Sequence, residues 1–252
     1  MCLVKGEMNM VKLKNSFQRK EKKYALSNET YHKLREKLFP HMQEDEYGLH
    51  TIMSVYFDTH DYEMIRHSIA KPAYKEKFRI RSYGIPTESS NVFLEIKKKV
   101  QGVVYKRRIA LSYQSAKKYL QHPHSFKLVS AKDQQIKQEI DWLFARKRLE
   151  PKVMIAYDRR ALFAAEDEEF RVTFDFNIRY REERFYQENL SDYGEKVAPE
   201  IDVLMEVKAL GAYPLWFSEI LADLDIYPSS FSKYAQAYQR YLYHKEDFYH
   251  VV

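Results

Sequence analysis

The stretch FRIRSYG, residues 78–84, sets Arg79 and Arg81 two positions apart, alternating with Phe78 and Ile80. In an extended chain successive side chains point to opposite faces, so both guanidinium groups enter one space and both apolar groups another. Taken alone, the segment suits an edge strand that turns its charged face to water. It equally suits the wall of a channel lined by cations, and the neighbouring runs decide between the two.

Working outward, NVFLEIKKK (91–99) puts Phe93, Glu95, Lys97 and Lys99 on one face and Val92, Leu94 and Ile96 on the other. VVYKRRIAL (103–111) places Lys106 and Arg108 opposite Arg107 and Ile109, and Gln101–Gly102 between these runs has the character of a hairpin turn. SFQRKEKKYAL (16–26) carries Arg19, Glu21 and Lys23 on one parity, and TIMSVYFDT (51–59) is aromatic and β-branched. PKVMIAYDRRALF (151–163) reads as a strand ending in Arg159 and Arg160. RVTFDFNIRY (171–180) alternates throughout, with Arg171, Thr173, Asp175, Asn177 and Arg179 facing away from Val172, Phe174, Phe176, Ile178 and Tyr180. IDVLMEVKAL (201–210) sets Glu206 and Lys208 against Met205 and Val207.

Helical patterns separate the strands. NETYHKLREKLF follows Ser27 as N-cap and stops at Pro40; SYQSAKKYLQH (112–122), DQQIKQEIDWLFARKRL (133–149) and PLWFSEILADL (214–224) are three more. A long last helix is expected from about Ser230 through YAQAYQRYLYHKE. Residues 1–15 read as a loosely ordered basic leader with Met10 as a second candidate start, and residues 16–252 as one domain.

About eight strands therefore share one property, a face rich in Arg, Lys and Glu opposite an apolar face. If the sheet closes on itself, the charged faces meet inside and the apolar outer faces require helices as cover. The expected fold is α+β, an antiparallel closed β-barrel forming a charged tunnel, covered by helices and followed by a C-terminal helix. An open sheet with its charged face in solvent is the less costly alternative. Unpaired buried charge is expensive, so such a lumen needs water, a polyanion or metal ions.

Composition narrows the partner. The chain has 252 residues, a formal net charge of +6 and a pI near 9.0, which favours a polyanion. The one cysteine, Cys2, excludes a disulfide framework and a cysteine metal cluster, and it fits a reducing, cytoplasmic setting. No apolar run is long enough for a membrane-spanning helix, and no glycine-rich phosphate loop is present. His60, His67, His122 and His124 have no metal-ligand or triad spacing and are read as surface or loop residues. The cations alternate along strands and do not line one helix face, so no nucleic-acid partner is expected.

In chain order the sequence reads KEKKY, SVYFDT, FRIRSYG, FLEIKKK, YKRR, YDRRAL, VTFD, MEVK and SSFSKY. This order resembles the triphosphate tunnel enzymes, and within them the polyphosphate polymerase domain of the vacuolar transporter chaperone (VTC) complex and its bacterial relatives. The likeness spans about residues 16–243. It implies phosphate binding by Lys23, Arg79, Arg81, Lys97, Lys106, Arg159 and Lys233, with Arg108 sharing the face of Lys106, and with Ser232 and Tyr234 in the motif of Lys233. Glu206 is the foremost implied ligand of a Mn²⁺ or Mg²⁺ ion, with Glu21 and Glu95, at positions where a carboxylate faces the tunnel, as the other two and Asp175 as a weaker fourth; the alternative for each is to orient the arginines. Arg79, Arg81, Lys97, Arg159 and Glu206 would carry the chemistry. Where the hydrolytic branch begins with Glu-x-Glu-x-Lys, this chain has Arg19, Glu21 and Lys23. A cation in place of one carboxylate argues against a two-metal hydrolase.

The resemblance thus implies an ATP-polyphosphate phosphotransferase, with ATP and inorganic polyphosphate as partners. Since the fungal complex couples synthesis to transport, it also implies a membrane-protein partner and a peripheral place at the inner face of the membrane. A metal-dependent tripolyphosphatase or nucleoside triphosphatase, and a noncatalytic polyphosphate-binding module, remain the alternatives.

Overall fold

The computed structural model describes residues 19–122, 128, 130–167, 169–186 and 190–243. The leader, Met10, His124 and the end of the expected last helix lie outside these residues.

Eight strands form one curled antiparallel sheet, a half-barrel in an α+β fold. They are β1 (Arg19–Leu26), β3 (His50–Asp58), β4 (Tyr74–Tyr83), β5 (Asn91–Val100), β6 (Val103–Ser112), β7 (Glu150–Ala164), β8 (Arg171–Arg181) and β10 (Val203–Leu210). Their order is β1-β10-β8-β7-β3-β4-β5-β6, and the short strands β2 (Met42–Glu44) and β9 (Glu195–Lys196) pair with β7 and β8. The turn between β5 and β6 has Gln101 and Gly102 at φ 46° and 88°, the two positive values that a two-residue hairpin loop requires.

The closed barrel is not what forms. Among the described residues β1 and β6 end the sheet and do not pair with each other. The outer edge of β1 is bridged at one point, where Ser229 N–H donates to Lys23 C=O at 2.7 Å in an antiparallel bridge. At the other end, β6 is solvent-exposed over Val103–Arg108. The lumen is therefore a groove on the concave face, open along β6.

Helices cover the convex face. α1 (Asn28–Leu38) and α5 (Leu215–Asp223) pack on β1, β8 and β10 around the fully buried Leu34, Phe174 and Phe217. α3 (Tyr113–Gln121) and α4 (Ala131–Lys147) cover β4–β6 around Phe78, Leu94 and Ile140. Ser27 caps α1 by accepting from Thr30 N–H at 3.1 Å, and Ser112 and Ser130 cap α3 and α4 in the same way.

Two elements lie toward the concave side. α2 (Glu63–Ile69), unanticipated between the motifs at 54–59 and 78–84, is capped from upstream: Asp58 accepts from Met64 N–H at 2.8 Å and Ile65 N–H at 3.0 Å. The expected long last helix is instead α6 (Lys233–Ala237) followed by a π-helical turn, Tyr238–Leu242. Ile65, Phe231, Tyr234, Ala237 and Tyr238 form one buried cluster with Ile52, Ile155 and Tyr157, so this end of the groove is filled.

The unbroken alternation of residues 171–180 also fails. Pairing steps from Ala156↔Arg179 to Asp158↔Phe176, which leaves one extra residue in β8, and Asn177 adopts φ 48°. This bulge reverses parity. Val172 and Phe174 face the convex core, but Ile178 and Tyr180 join the concave cluster. Arg179 turns to the other side, where it meets Asp158 at 3.2 Å and Asp192 at 2.6 Å.

Candidate functional site: a charged groove with two unlike ends

Strand register aligns the groove in rungs. Across β4, β5 and β6 these are Arg81–Phe93–Ala110, Arg79–Glu95–Arg108 and Lys77–Lys97–Lys106, and beyond them Lys75 pairs with Lys99. Across β7, β8, β10 and β1 they are Arg159–Asp175–Leu204–Ala25 and Ala161–Thr173–Glu206–Lys23. Thus FRIRSYG does line a concave charged face, together with a lysine just upstream of it.

At the β7–β10 end, cations and carboxylates are matched. Arg159 grips Asp175 with two parallel bonds, Nε–Oδ1 at 2.6 Å and Nη2–Oδ2 at 2.7 Å, and Nη2 also donates to Glu206 Oε2 at 3.1 Å. Lys233 Nζ donates to Asp175 at 2.5 Å and Glu206 at 3.1 Å, and Lys23 Nζ lies 3.4 Å from Glu206. Glu21, partly exposed, lies 3.9 Å from Lys23. Burial would raise the Glu206 carboxyl, but Lys233, Lys23 and Arg159 outweigh it and hold it well below the usual carboxylate range. Desolvation opposes the charge on Lys233, and Asp175 and Glu206 more than offset it, so its pKa is raised. Lys233 reaches these groups from the first turn of α6, anchored by Tyr234. The Tyr234 hydroxyl donates to the buried Asp58 at 2.9 Å and its ring stacks on Tyr56 with centroids 4.9 Å apart. Tyr234 thus braces α6 and its hydroxyl is committed. Ser232 is the N-cap position of α6 and makes no side-chain capping bond.

At the β4–β6 end, Arg79, Arg81 and Lys106 share one carboxylate. Arg79 Nε donates to Glu95 at 2.8 Å, Lys106 Nζ lies 2.8 Å from Glu95, and Arg81 Nε lies 4.0 Å away. Burial favours the neutral acid, but these three cations bring the Glu95 carboxyl down to about 2. Arg108 rests on the Phe93 ring at 4.6 Å. Lys97 projects into the exposed part of the groove.

Two groups escaped the sequence reading. Tyr157 joins the ends: its hydroxyl accepts from Arg81 Nη2 at 3.1 Å, and Lys233 and Arg159 sit over its ring at 4.4 and 5.1 Å. Its position two before Arg159 was the available signal. Lys77 stands two before Arg79 on the same parity, one residue ahead of the motif that drew attention. Desolvation, with Lys75, Lys97 and Lys23 nearby, brings its ammonium down to about 8. Tyr56 beside it is also near 8: burial opposes ionisation, and Arg79, Arg81 and Lys77 overcome that effect.

The expected metal trio does not assemble. Among the described residues no three His, Cys, Asp or Glu side chains gather to hold an ion, because Glu95 is bound among the cations of the opposite end. Glu206 alone still suits a hard divalent cation, since such ions are commonly held by one or two carboxylates with substrate phosphates completing the shell.

The VTC domain family matches residues 18–242. The chain belongs to that family. Its fold is shared with a candidate adenylate cyclase from Bacillus halodurans, 19% identical with a TM-score of 0.52, over 89% of this chain and 98% of that one. It is shared also with a candidate adenylyl cyclase from Hippeastrum described as having a dominant triphosphatase activity, 16% identical with a TM-score of 0.53, over 87% and 94% of the two chains. No curated protein is similar enough to the sequence to match it. Among the described residues of this VTC domain, no helix is long and apolar enough to cross a membrane.

Proposed function

We propose that this VTC domain is an ATP-polyphosphate phosphotransferase that holds the nucleotide triphosphate at the matched end of the groove and the growing phosphate chain at the lysine end. The observation that carries this reading is the rung Lys77–Lys97–Lys106. Like charges directly opposite on neighbouring strands are destabilising. Lys106 turns to Glu95, and neither Lys77 nor Lys97 has an ion pair or hydrogen bond among the described residues. A row of this kind supports a ligand with more phosphates than the matched end can engage.

In the proposed reaction Arg159, Lys233 and Lys23 position the β- and γ-phosphates, and Arg79 and Arg81 grip the acceptor's terminal phosphate with planar donors. An oxygen of that terminal phosphate bonds to the γ-phosphorus in line. The bond from the γ-phosphorus to the β,γ-bridging oxygen breaks, and its electron pair leaves with ADP. The attacking oxygen is already anionic, so no general base is needed. A Mn²⁺ or Mg²⁺ ion at Glu206 would supply charge neutralisation on the phosphates. Entry of substrate must loosen the Arg159–Asp175 and Lys233–Asp175 pairs, which hold the cations in place beforehand.

The fold shared with the Hippeastrum protein favours one other reading, attack by water as a triphosphatase. Incubation with ATP and Mn²⁺ or Mg²⁺, with gel staining for polyphosphate and assays of ADP and free phosphate, separates the two. A ladder with equivalent ADP, lost in Arg79→Ala and Glu206→Gln, supports the transferase. Free phosphate without a ladder assigns the hydrolase, and polyphosphate binding without turnover leaves a binding module.

A further inference from the structure

The tip of the β5–β6 hairpin combines features that edge protection does not require. Lysines on an edge strand commonly prevent pairing with other chains, but turns and their flanks are ordinarily polar. Here Val100, Val103, Val104 and Tyr105 are 38, 38, 49 and 54% exposed, and Tyr74 on the neighbouring strand is 39% exposed. Register puts Tyr74, Val100, Val103 and Tyr105 on one face, because Tyr74 pairs with Val100 and Val100 with Val103, and Tyr105 follows two residues along β6; Val104, opposite Lys99, lies on the groove face of the tip. Lys98 and Arg107 share the face of this patch, and Lys75 and Lys99, with Lys71 near Lys75, flank it from the groove face of the same tip. Residues 97–108, KKKVQGVVYKRR, contain six cations and no carboxylate. Glu139 of α4 is the acid that meets this collar, at 2.8 Å from Lys98 and 3.6 Å from Arg107.

A free phosphate chain would engage the collar and leave the valines in water. An apolar tip inside a ring of cations matches an interface with hydrocarbon beneath a layer of anionic headgroups, where tyrosine also sits favourably. We propose that the β5–β6 tip docks the protein on an anionic lipid bilayer, with Val100, Val103 and Tyr105 entering the interface and the lysines and arginines around them resting on lipid phosphates. This inference does not depend on the reaction proposed above.

The test is co-sedimentation of the purified chain with vesicles of phosphatidylcholine alone or mixed with phosphatidylglycerol. The expected result is sedimentation with the mixed vesicles only, and an about tenfold lower partition for Val103→Ser/Tyr105→Ser at an unchanged melting temperature. A Val103→Trp variant should shift its emission to the blue on the same vesicles. Absence of binding to anionic vesicles overturns the proposal, as does binding that the double substitution leaves intact. Concentration-dependent dimerisation abolished by that substitution would give the patch to a second copy of the chain and likewise overturn it.

Discussion

At the residue scale the groove is governed by which charges find partners. The Glu95 carboxyl, with an ordinary value of 4.5, is held at about 2 in the folded chain. A depressed carboxyl contributes stability that is present above the unfolded value and is lost as pH falls toward the folded one. Urea unfolding of the free protein should therefore lose about 3 kcal/mol between pH 4.5 and 2 from this group, and Glu95→Gln should flatten that part of the curve. Lys77 and Tyr56 behave oppositely to a stabilising ion pair as pH rises. Both titrate near 8 when folded and near 10 when unfolded, so over that interval the unfolded chain binds more protons and stability increases with pH. Over the same interval the groove loses positive charge. Calorimetric affinity for long-chain polyphosphate should fall from pH 7 to 9 while the melting temperature does not, and Lys77→Met should remove about tenfold of the affinity at pH 7 and much of the pH dependence. Equal loss for tripolyphosphate would instead place Lys77 among contacts to the short substrate.

At the scale of elements, the local rules in the sequence were mostly sufficient. Ser27, Ser112 and Ser130 open helices as their residue types predict, and eight alternating runs became the eight long strands. The failures have physical causes. The bulge at Asn177 is invisible to a period-two reading, because Ile178 and Tyr180 remain buried after the face reverses, only in a different cluster. Helix α2 was missed because its cap, Asp58, belongs to the preceding strand. Charged-face membership was legible for Arg79, Arg81, Glu95, Arg159 and Glu206, but the division into a matched end and a lysine end depends on register, which one strand cannot reveal. Asn177→Val should cost about 1–2 kcal/mol in urea unfolding, because a β-branched residue resists left-handed backbone, whereas Asn177→Gly should be nearly neutral. Asp58→Asn should act at a distance. By weakening the α2 cap and the Tyr234 bond it frees α6, so the Km for ATP should rise through misplaced Lys233 more than unfolding free energy falls.

For the molecule as a whole, the open groove and the unequal distribution of charge make recognition of phosphate chains sensitive to ionic strength. Exposed Lys97, Lys106 and Arg108 are screened readily, and the half-buried Arg159 and the buried Asp175, Glu206 and Lys233 much less. Raising salt from about 0.05 to 0.5 M should thus weaken binding of long polyphosphate several-fold more than binding of tripolyphosphate, as read by calorimetry. The bridge from Ser229 to Lys23 has a consequence for assembly as well. A sheet with two bare edges can add copies at both and grow into a fibre. On β1 the row of amide and carbonyl groups is interrupted by its own chain at Lys23, whereas among the described residues β6 presents its row exposed over Val103–Arg108. An edge broken in this way is a poorer template for a second copy than an unbroken one. The segment that carries Lys233 into the groove therefore also makes the two ends of the sheet unequal in their readiness to pair.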